Sequence, residues 1–524
     1  MTFDRAAALD RLGSEHFDVL VVGGGITGAG VALDAASRGL RTALVERDDF
    51  ASGTSSRSSK LVHGGLRYLS QGDYRLVWQA LAERQRLLAN APHLVRPMPF
   101  VFPSYGSRAG VRAVSSALWL YDLTGGFRIG KLHRRLSPAD ALSRAPGLRA
   151  AGLAGAHLYF DAHADDARLT LAVVRTAVLD HGAVAANHTR VTHLGAGGAD
   201  VEADGRELRV HASVVVSAAG VWADELAGGG SASIRPAKGV HLTVRAELVR
   251  SDVALVLRAP SDGRSVFVVP WPGTGRVYVG TTDTDYDGPL DTPTCNAADV
   301  DYLLEAVNAS LTAELTAADV VGSWAGLRPL LAGGTPGRRS TDLSRRHRVT
   351  RFRDGLVAVN GGKLTTYRAM AADTVDEVQA ALGQRRTPAR TATLPLRGAS
   401  RRTTDLDAPV ARHLFSRYGS EAGAVAAMVA TDPALGEPLV AGLPYLRAEA
   451  VYAARYEMAC DLDDVLSRRT RALILDRDAS AAAAPAVARL LAAELGWSDE
   501  DTAAQVNRYC AGVEAERLAA AAPV

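Results

Sequence analysis

The sequence predicts an α/β protein with three parts, and three patterns carry that prediction. Val19–Val22 is an apolar run typical of a strand buried on both faces. Glycines follow it directly in the spacing G-x-G-x-x-G, which indicates a tight turn into a helix. Apolar or alternating segments between Gly and Pro from Ile234 to Thr282 indicate an antiparallel sheet. We therefore expect a Rossmann-like domain, an interleaved antiparallel-β domain and, beyond residue 400, a C-terminal helical domain.

The glycine-rich turn is the first candidate binding site. Gly23 permits the tight turn, Gly25 the close approach of a pyrophosphate, and Gly28 the close packing of helix on strand. Ala29–Ser37 continues as a helix, and the free N–H groups and positive dipole end of that helix favour an anion. The turn is therefore expected to hold a dinucleotide by its pyrophosphate.

An acidic residue follows the second predicted strand, Thr42–Val45. Glu46 lies 18 residues after Gly28, and a carboxylate there suits the hydroxyls of an adenosine ribose and repels a 2′-phosphate. NADP is therefore disfavoured. The sequence contains one complete fingerprint of this kind, whereas flavin enzymes that also use NAD(P)H usually carry two, which favours FAD over NAD.

A second informative segment, Thr54–Leu69, reads TSSRSSKLVHGGLRYL. Further segments follow it in the chain: KGVH at Lys238–His241, Trp271, GTTD at Gly280–Asp283, GLRPL at Gly326–Leu330 and GGKLTTY at Gly361–Tyr367. Together and in this order they resemble the FAD-dependent, membrane-associated sn-glycerol-3-phosphate dehydrogenases, from about Phe17 to about Ala519. The resemblance implies oxidation of sn-glycerol 3-phosphate to dihydroxyacetone phosphate, with hydride passing to FAD and electrons to a membrane quinone.

The resemblance also implies the cofactor contacts. Since no His or Cys stands out as an attachment point, we expect FAD to bind without a covalent link. The expected cofactor-binding residues are Gly23, Gly24, Gly25, Thr27, Gly28, Glu46, Arg47, Thr54, Ser55, Ser59, Lys60, His63, Gly64, Gly65, Gly220, Gly362, Lys363, Leu364 and Thr365.

The substrate dianion requires cations. By resemblance, Arg67 is the first candidate to bind the phosphate, and Tyr68 beside it is a hydroxyl donor. Arg345 or Arg346 is a candidate second cation, although TDLSRRHRV departs from the family pattern and leaves the register between the two open.

Three residues are candidates for the chemical step. His241 is the candidate general base because a neutral imidazole can accept a proton at physiological pH. Arg328 and Lys363 are expected to stabilise the developing alkoxide and the reduced flavin by preorganised positive charge. A structural histidine is the alternative for His241.

The expected domains are discontinuous. The FAD-binding domain comprises residues 15–66, 160–232 and 325–385, and the substrate domain comprises 67–159 and 233–324. Residues 400–524 form the helical domain, for which a packing or assembly role is expected. Its last helix is predicted over Thr502–Ala519, with a cap at Ser498.

Composition limits the classes of partner. The 59 basic residues balance 57 acidic ones, which argues against non-specific binding of nucleic acid. Cys295, Cys460 and Cys510 are too scattered to suggest a disulfide framework or a metal site. Since no secretion signal or apolar run of about 18 residues is apparent, we expect a cytosolic or peripherally bound protein. The resemblance, which implies a membrane quinone, further implies a cytoplasmic protein bound peripherally to the inner face of the cell membrane.

A candidate membrane-binding segment lies at Val111–Leu123, where an apolar stretch precedes five cationic or ionisable residues. These residues are Arg128, Lys131, His133, Arg134 and Arg135. The alternative is a core helix with a solvated basic loop. For the whole chain the alternatives are a glycerophosphate oxidase that uses oxygen, an FAD amine or amino-acid oxidase, and a non-catalytic flavin-binding scaffold; a homodimer is left open beside a monomer.

Overall fold

The computed structural model describes residues 3–65, 72–106, 108–195, 197–226, 234–332, 346–352, 355–400 and 409–522. The strands of these residues are β1 (His16–Val22), β2 (Thr42–Val45), β3 (Leu61–Val62), β4 (Val95–Tyr105), β5 (Arg134–Leu136), β6 (Leu153–Ala164), β7 (Val184–Ala186), β8 (Arg190–Gly195), β9 (Gly198–Ala203), β10 (Arg206–Ser217), β11 (Ile234–Arg245), β12 (Ala254–Arg258), β13 (Ser265–Trp271), β14 (Arg276–Gly280), β15 (Thr284–Asp285), β16 (Val320–Leu331), β17 (His347–Arg351) and β18 (Leu356–Gly361).

Helices cover both sheets and form the C-terminal part. The α-helices of the described residues are Arg5–Ser14, Ile26–Ser37, Tyr74–Asn90, Arg108–Leu123, Pro138–Arg144, Asp166–Leu179, Ala223–Leu226, Ala246–Val249, Ala297–Ser310, Tyr367–Ala381, Pro409–Tyr418, Ala422–Thr431, Arg447–Tyr456, Ala472–Leu475, Arg477–Leu495 and Asp499–Ala521. A π-helix spans Asp464–Arg469, and short 3₁₀ turns include Thr54–Ser56 and Leu364–Thr366.

The first sheet is the predicted Rossmann-like one. Its strand order is β17-β18-β10-β1-β2-β7, and β1 runs parallel to both β2 and β10. The apolar run Val19–Val22 is buried, although its strand begins earlier, at His16. The second strand matches its predicted bounds, and the helix after the glycine turn spans Ile26–Ser37, which includes the predicted Ala29–Ser37. The carboxyl ends of the parallel strands therefore meet at one edge, where α/β folds bind ligands.

The second sheet is largely antiparallel and carries the predicted strands between Ile234 and Thr282. Its order is β15-β11-β14-β13-β12-β4-β6-β3, with β16 on β11 and β5 on β6. This sheet crosses the expected domain boundaries at residues 325 and 160. β16 continues to Leu331 because it pairs with β11 from end to end, and β6 continues to Ala164 because it pairs with β4. Long-range pairing, which local pattern does not reveal, therefore sets these limits.

The C-terminal helices pack on the second sheet. Ile474 and Leu475 share one hydrophobic cluster with Trp324 of β16. The last helix runs from Asp499 to Ala521, close to its predicted bounds, and Ser498 caps it: its Oγ accepts the N–H of Asp501 at 3.0 Å.

A histidine links the first sheet to this helical part. His188 follows β7 with φ +47°, and its Nε2 lies 3.0 Å from Oδ2 of the buried Asp464. Burial disfavours the imidazolium, but the hydrogen bond and the charge of Asp464 outweigh burial and raise the pKa of His188 to about 9. The nearby carboxylates of Asp49 and Asp461 act in the same direction.

This pair makes a pH-dependent contribution to stability. Because the folded-state pKa of His188 exceeds its ordinary value of 6.5, the contribution is complete below about pH 6.5 and is lost as pH rises through 9. We expect His188→Asn, which tolerates positive φ, to lower the free energy of unfolding by about 2 kcal/mol at pH 6 and by much less at pH 10. Thermal unfolding from pH 6 to pH 10 measures this difference. His211→Asn, an exposed histidine of β10, is the control, and an equal effect of His188→Asn at both pH values would contradict the assignment.

Candidate functional site

A cavity of about 1200 Å³ opens at the carboxyl ends of β1, β2 and β10. Most of its lining comes from four groups of residues, the glycine turn, the segment after β2, the strands and turn between residues 189 and 226, and the segment after β18, and Pro329 of β16 adds to it. The expected cofactor residues among them are Gly23, Gly25, Thr27, Glu46, Arg47, Thr54, Ser55, Gly220, Gly362, Lys363 and Leu364.

The glycine turn leaves no room for side chains. A Cβ on Gly28 would lie 1.9 Å from the carbonyl oxygen of Gly23, which itself has φ +111°. The helix that begins at Ile26 therefore approaches the end of β1 closely, and the Oγ of Ser55 accepts the N–H of Ile26 at 2.8 Å. This cradle fits a pyrophosphate group, because side chains are absent where its oxygens would approach the backbone.

Glu46 lies at the cavity wall after β2. Its Oε2 accepts the N–H of Gly24 at 2.6 Å, and its Oε1 accepts the N–H of Asp48 at 2.9 Å. Burial raises the pKa of Glu46 to about 7 although these backbone donors oppose the shift. A carboxyl group held between two N–H donors at the end of β2 fits a ribose hydroxyl, as the sequence spacing predicts.

Several cavity residues were not among the expected contacts. Trp222 is one of these unexpected residues. Its ring centre lies 4.8 Å from the guanidinium of Arg47, which was an expected contact. Ser52, Thr189, Val191, Ser213 and Trp222 also line the cavity. Gly220 of the turn after β10 was among the expected cofactor residues, but the strands around Val191 carry no cofactor motif and could be found only from the fold.

The other expected cofactor residues do not line this cavity: Gly24, Gly28, Ser59, Lys60, His63, Gly64, Gly65 and Thr365. Gly24 and Gly28 build the turn itself. His63 and Thr365 contact each other, since the Oγ1 of Thr365 accepts the N–H of His63 at 3.3 Å. The N–H of Gly64 is donated to the hydroxyl of Tyr121 at 3.0 Å. Their contacts with FAD stay predictions.

Lys60 points into the protein rather than into the cavity. It is fully buried with φ +56°, and its Nζ donates to the carbonyls of Ser58 at 3.0 Å and Ser56 at 3.3 Å. The ammonium also lies 4.1 Å from the ring centre of Trp324 and 3.5 Å from a carboxylate oxygen of Asp166. Burial lowers the pKa of Lys60 to about 7, against the attraction of Asp166.

His241 lies beside Lys60 on β11. The side chain is 2% exposed, its ring stacks on Trp324 with centres 4.7 Å apart, and its Nε2 lies 2.9 Å from Ser59 Oγ. Burial, reinforced by the cations Lys60 and Arg328, holds the pKa of His241 well below its ordinary value. The imidazole is therefore neutral at physiological pH, which is the form a general base requires.

Arg328 joins three of the segments singled out in the sequence. From β16 its Nη1 donates to Asp283 Oδ1 at 3.1 Å and to the carbonyl of Lys238 at 3.2 Å. Its Nη2 donates to Thr281 Oγ1 and to the carbonyl of Thr282, both at 3.1 Å. The three segments come together because β11 pairs with both β14 and β16. The guanidinium is thus fixed in orientation while its side chain stays 24% exposed.

Lys363 lines the cavity, and its charge acts on His63. It lines the cavity beside Gly362, whose φ of +89° and close approach to Met370 exclude a side chain. Burial, together with the positive charges of Lys363 and Arg84, lowers the pKa of His63 to about 3. His63 is therefore neutral and unsuited to hold a proton.

The expected phosphate ligands are only partly described. Arg67, Tyr68 and Arg345 lie outside the described residues. Arg346 is more than half exposed, and its Nη2 lies 2.8 Å from Oδ1 of Asp73, the cap of the helix Tyr74–Asn90. Their contacts with substrate stay predictions.

Comparisons with known proteins agree with an FAD-binding fold. Residues 18–372 match the model of the FAD dependent oxidoreductase family, and residues 389–502 match the C-terminal domain of alpha-glycerophosphate oxidase. The chain is 43% identical to glycerol-3-phosphate dehydrogenase 2 of Mycobacterium tuberculosis over 99% of this chain and 92% of that protein. It is 37% identical to the mitochondrial glycerol-3-phosphate dehydrogenase of Homo sapiens over 94% of this chain and 72% of that protein.

Among solved structures, the glycerol-3-phosphate dehydrogenase of Bacillus halodurans complexed with FAD superposes with a TM-score of 0.79. It is 32% identical, and the match covers 99% of this chain and 98% of that one. Fold, glycine cradle and sequence relatives therefore agree: the chain belongs to the FAD-dependent glycerol-3-phosphate dehydrogenase family.

Proposed function

We propose that this chain oxidises sn-glycerol 3-phosphate to dihydroxyacetone phosphate, with FAD as first electron acceptor and a membrane quinone as the second. The position of β16 carries this proposal. Pro329 of that strand lines the cofactor cavity, and the Oγ1 of Thr54 donates to the carbonyl of Leu327 at 2.6 Å. Arg328, between them, therefore lies at the border between the cofactor cavity and the second sheet, and its charge acts on the neutral His241 of β11.

Each residue has one task in the proposed reaction. Bound FAD supplies the acceptor for the hydride that leaves the second carbon of the substrate. His241 accepts the proton of the hydroxyl on that carbon, and Ser59 orients its ring through Nε2. Arg328, held by Asp283, stabilises the negative charge that develops on the oxygen. Arg67, Tyr68 and one of Arg345 and Arg346 bind the phosphate.

Anaerobic mixing with glycerol 3-phosphate tests this reaction, because reduction bleaches the flavin absorbance. We expect rapid bleaching of the wild type, and in Arg328→Ala a rate lower by roughly 10² to 10³, the typical cost of one lost electrostatic contact to a developing anion. The variant should retain FAD, since Arg328 itself does not line the cavity.

Arg235→Ala is the matched control, because this arginine lies on the adjacent strand β11 and its ion pair with Asp285 is partly exposed. Arg328→Lys keeps the positive charge but removes the planar guanidinium, and so tests whether its paired N–H donors are required. Wild-type protein that holds FAD without bleaching would contradict the proposed reaction. Full rate and unchanged substrate affinity in Arg328→Ala would contradict only the role of Arg328.

The proposed membrane surface is the outer face of the helix Arg108–Leu123 and its neighbours. Val111, Leu118 and Tyr121 of this helix point inward, so the helix is neither fully buried nor fully exposed. Four large apolar side chains on or near it are more than half exposed: Trp78, Trp119, Leu123 and Phe127. Such exposure is unusual for a soluble surface and fits insertion at the boundary of a bilayer.

Cations adjoin this apolar surface. Arg128 lies 5.1 Å from the ring centre of Trp78, and Arg134 and Arg135 are exposed on β5. His133 differs from the expected cationic flank, because its Nδ1 lies 2.8 Å from Asp122 in a buried pair. No described helix is both long and apolar enough to cross a bilayer. A peripheral contact with anionic lipid, which would bring the chain to a quinone, agrees with these observations.

Vesicle binding tests this surface. We expect Trp119→Ser combined with Leu123→Ser to weaken sedimentation with anionic vesicles roughly tenfold or more, because each buried apolar side chain contributes about 1.5–3 kcal/mol. Anaerobic bleaching should be unchanged, since the two side chains are exposed and do not line the cavity. Leu518→Ser, an exposed leucine of the last helix, is the control. Equal sedimentation of all three proteins would exclude this face as the membrane contact.

Oxygen is the alternative terminal acceptor, since residues 389–502 match a domain named for an oxidase. Re-oxidation of the bleached flavin distinguishes the two. Fast return of colour with a soluble quinone and slow return with oxygen support the dehydrogenase, and the reverse supports an oxidase.

A further inference from the structure

We propose that the C-terminal helical domain completes the FAD site, with Arg469 and Arg471 as positioning residues for a segment that lines the cofactor cavity. We call this segment, residues 46–56, the cofactor loop. Glu46 to Asp48 and Ser52 to Ser55 line the cavity, whereas Asp49 between them points away from it. The inference rests on the FAD cavity described above and goes beyond the packing role expected for these helices.

The middle of the cofactor loop is held by two arginines of the helical domain. Asp49 is fully buried, and its Oδ2 accepts Arg468 Nε at 2.6 Å while its Oδ1 accepts Arg469 Nη2 at 2.7 Å. Asn187 adds a donor to Oδ1 at 2.9 Å. Arg469 is braced in turn, because its Nη2 also donates to the carbonyl of Glu457 at 2.8 Å. The planar guanidinium of Arg469 bridges one carboxylate and one carbonyl. It therefore both fixes the position of the loop and neutralises the buried charge of Asp49.

The end of the cofactor loop is held by the same short segment. Nη2 of Arg471 donates to the carbonyl of Ser56, which also accepts Lys60 Nζ at 3.3 Å. The same Nη2 lies 3.2 Å from Asp166 Oδ1, so the guanidinium has a neutralising partner although it is 1% exposed. Arg468 and Arg469 are the last two residues of the π-helix Asp464–Arg469, and Arg471 follows after Thr470. Both contacts therefore depend on one element of the helical domain.

Loop position matters for the cofactor because two loop side chains contact the glycine turn. Ser55 accepts the N–H of Ile26 at 2.8 Å, and Glu46 accepts the N–H of Gly24 at 2.6 Å. Without Arg469, Asp49 would be a buried carboxylate with a weaker set of partners, which favours movement of the loop towards water. Such movement would displace both contacts at the place where the pyrophosphate and ribose are expected.

A merely structural role predicts a different outcome. A packing contact lowers the stability of the FAD-free and the FAD-bound protein equally, so the melting-temperature increase caused by FAD stays the same. A positioning contact lowers the affinity for FAD, so that increase becomes smaller. The affinity for FAD therefore distinguishes a positioning contact from a packing contact, whereas a loss of stability alone does not.

The experiment compares full-length wild type, Arg469→Gln, Arg469→Lys and Arg175→Gln. Arg175 is the matched control: it also forms a buried ion pair with the helical domain, to Glu421 at 2.6 Å, but has no described bond to the cofactor loop. Each protein is stripped of FAD and titrated with FAD, following flavin fluorescence, and is melted with and without FAD.

We expect Arg469→Gln to raise the Kd for FAD roughly 10- to 100-fold, the range typical of losing a residue that orients a ligand shell. Arg469→Lys, which keeps the charge but lacks the fork, should lie between it and the wild type, and it decides the matter if the glutamine variant fails to fold. Arg175→Gln should lower both melting temperatures alike and leave the Kd unchanged.

Unchanged FAD affinity in both Arg469 variants would overturn the inference while the cofactor site stands. An equal loss of affinity in Arg175→Gln would also overturn it, because any damage to the junction would then have the same effect. Failure of the wild type to bind FAD would overturn the cofactor assignment and this inference together.

Discussion

The close contact between the glycine turn and its helix is the constraint on which the site depends. A Cβ at Gly28 would approach the Gly23 carbonyl oxygen to 1.9 Å, so the helix can start at the end of β1 only with glycine there. The positions of Ser55 and Glu46 follow from this, since each accepts a backbone N–H of the turn. Backbone geometry therefore determines the shape of the cavity, and the side chains of Ser55 and Glu46 are positioned by their hydrogen bonds to that backbone.

Charge in the interior is compensated residue by residue. Asp49 lies between Arg468 and Arg469, and Asp166 lies between Lys60 and Arg471. Removing water from such groups costs several kcal/mol per ion, and only multiple, well-directed hydrogen bonds offset this cost. Three of these four pairs join an arginine of the helical part to a buried carboxylate of the rest of the chain, so breaking one of them would leave a buried charge without its partner at that junction.

Sequence patterns predicted the elements that depend on neighbouring residues alone, but not the contacts between residues distant in the chain. Thr42–Val45 was predicted to the residue, because a short apolar run between a glycine and an acidic residue permits little else. The direction of Lys60 was not predictable, since it follows from φ +56° and from Trp324, which lies far along the chain. Nor was the role of Arg469, because its partner Asp49 lies 420 residues away. Arg328 was predictable as a site residue from its motif, whereas its bond to Asp283 required strand register.

Burial and two neighbouring cations keep the imidazole of His241 neutral. Lys60 and Arg328 disfavour a positive imidazolium, so the ring stays neutral and able to accept a proton in the proposed reaction. In the proposed reaction Arg328 also favours a negative oxygen on the substrate, which lowers the barrier to losing that proton. Burial against Trp324 strengthens both effects by excluding water. In the proposed reaction a proton on His241 is therefore held more weakly than on an ordinary imidazole, which favours its release and the return of the neutral base.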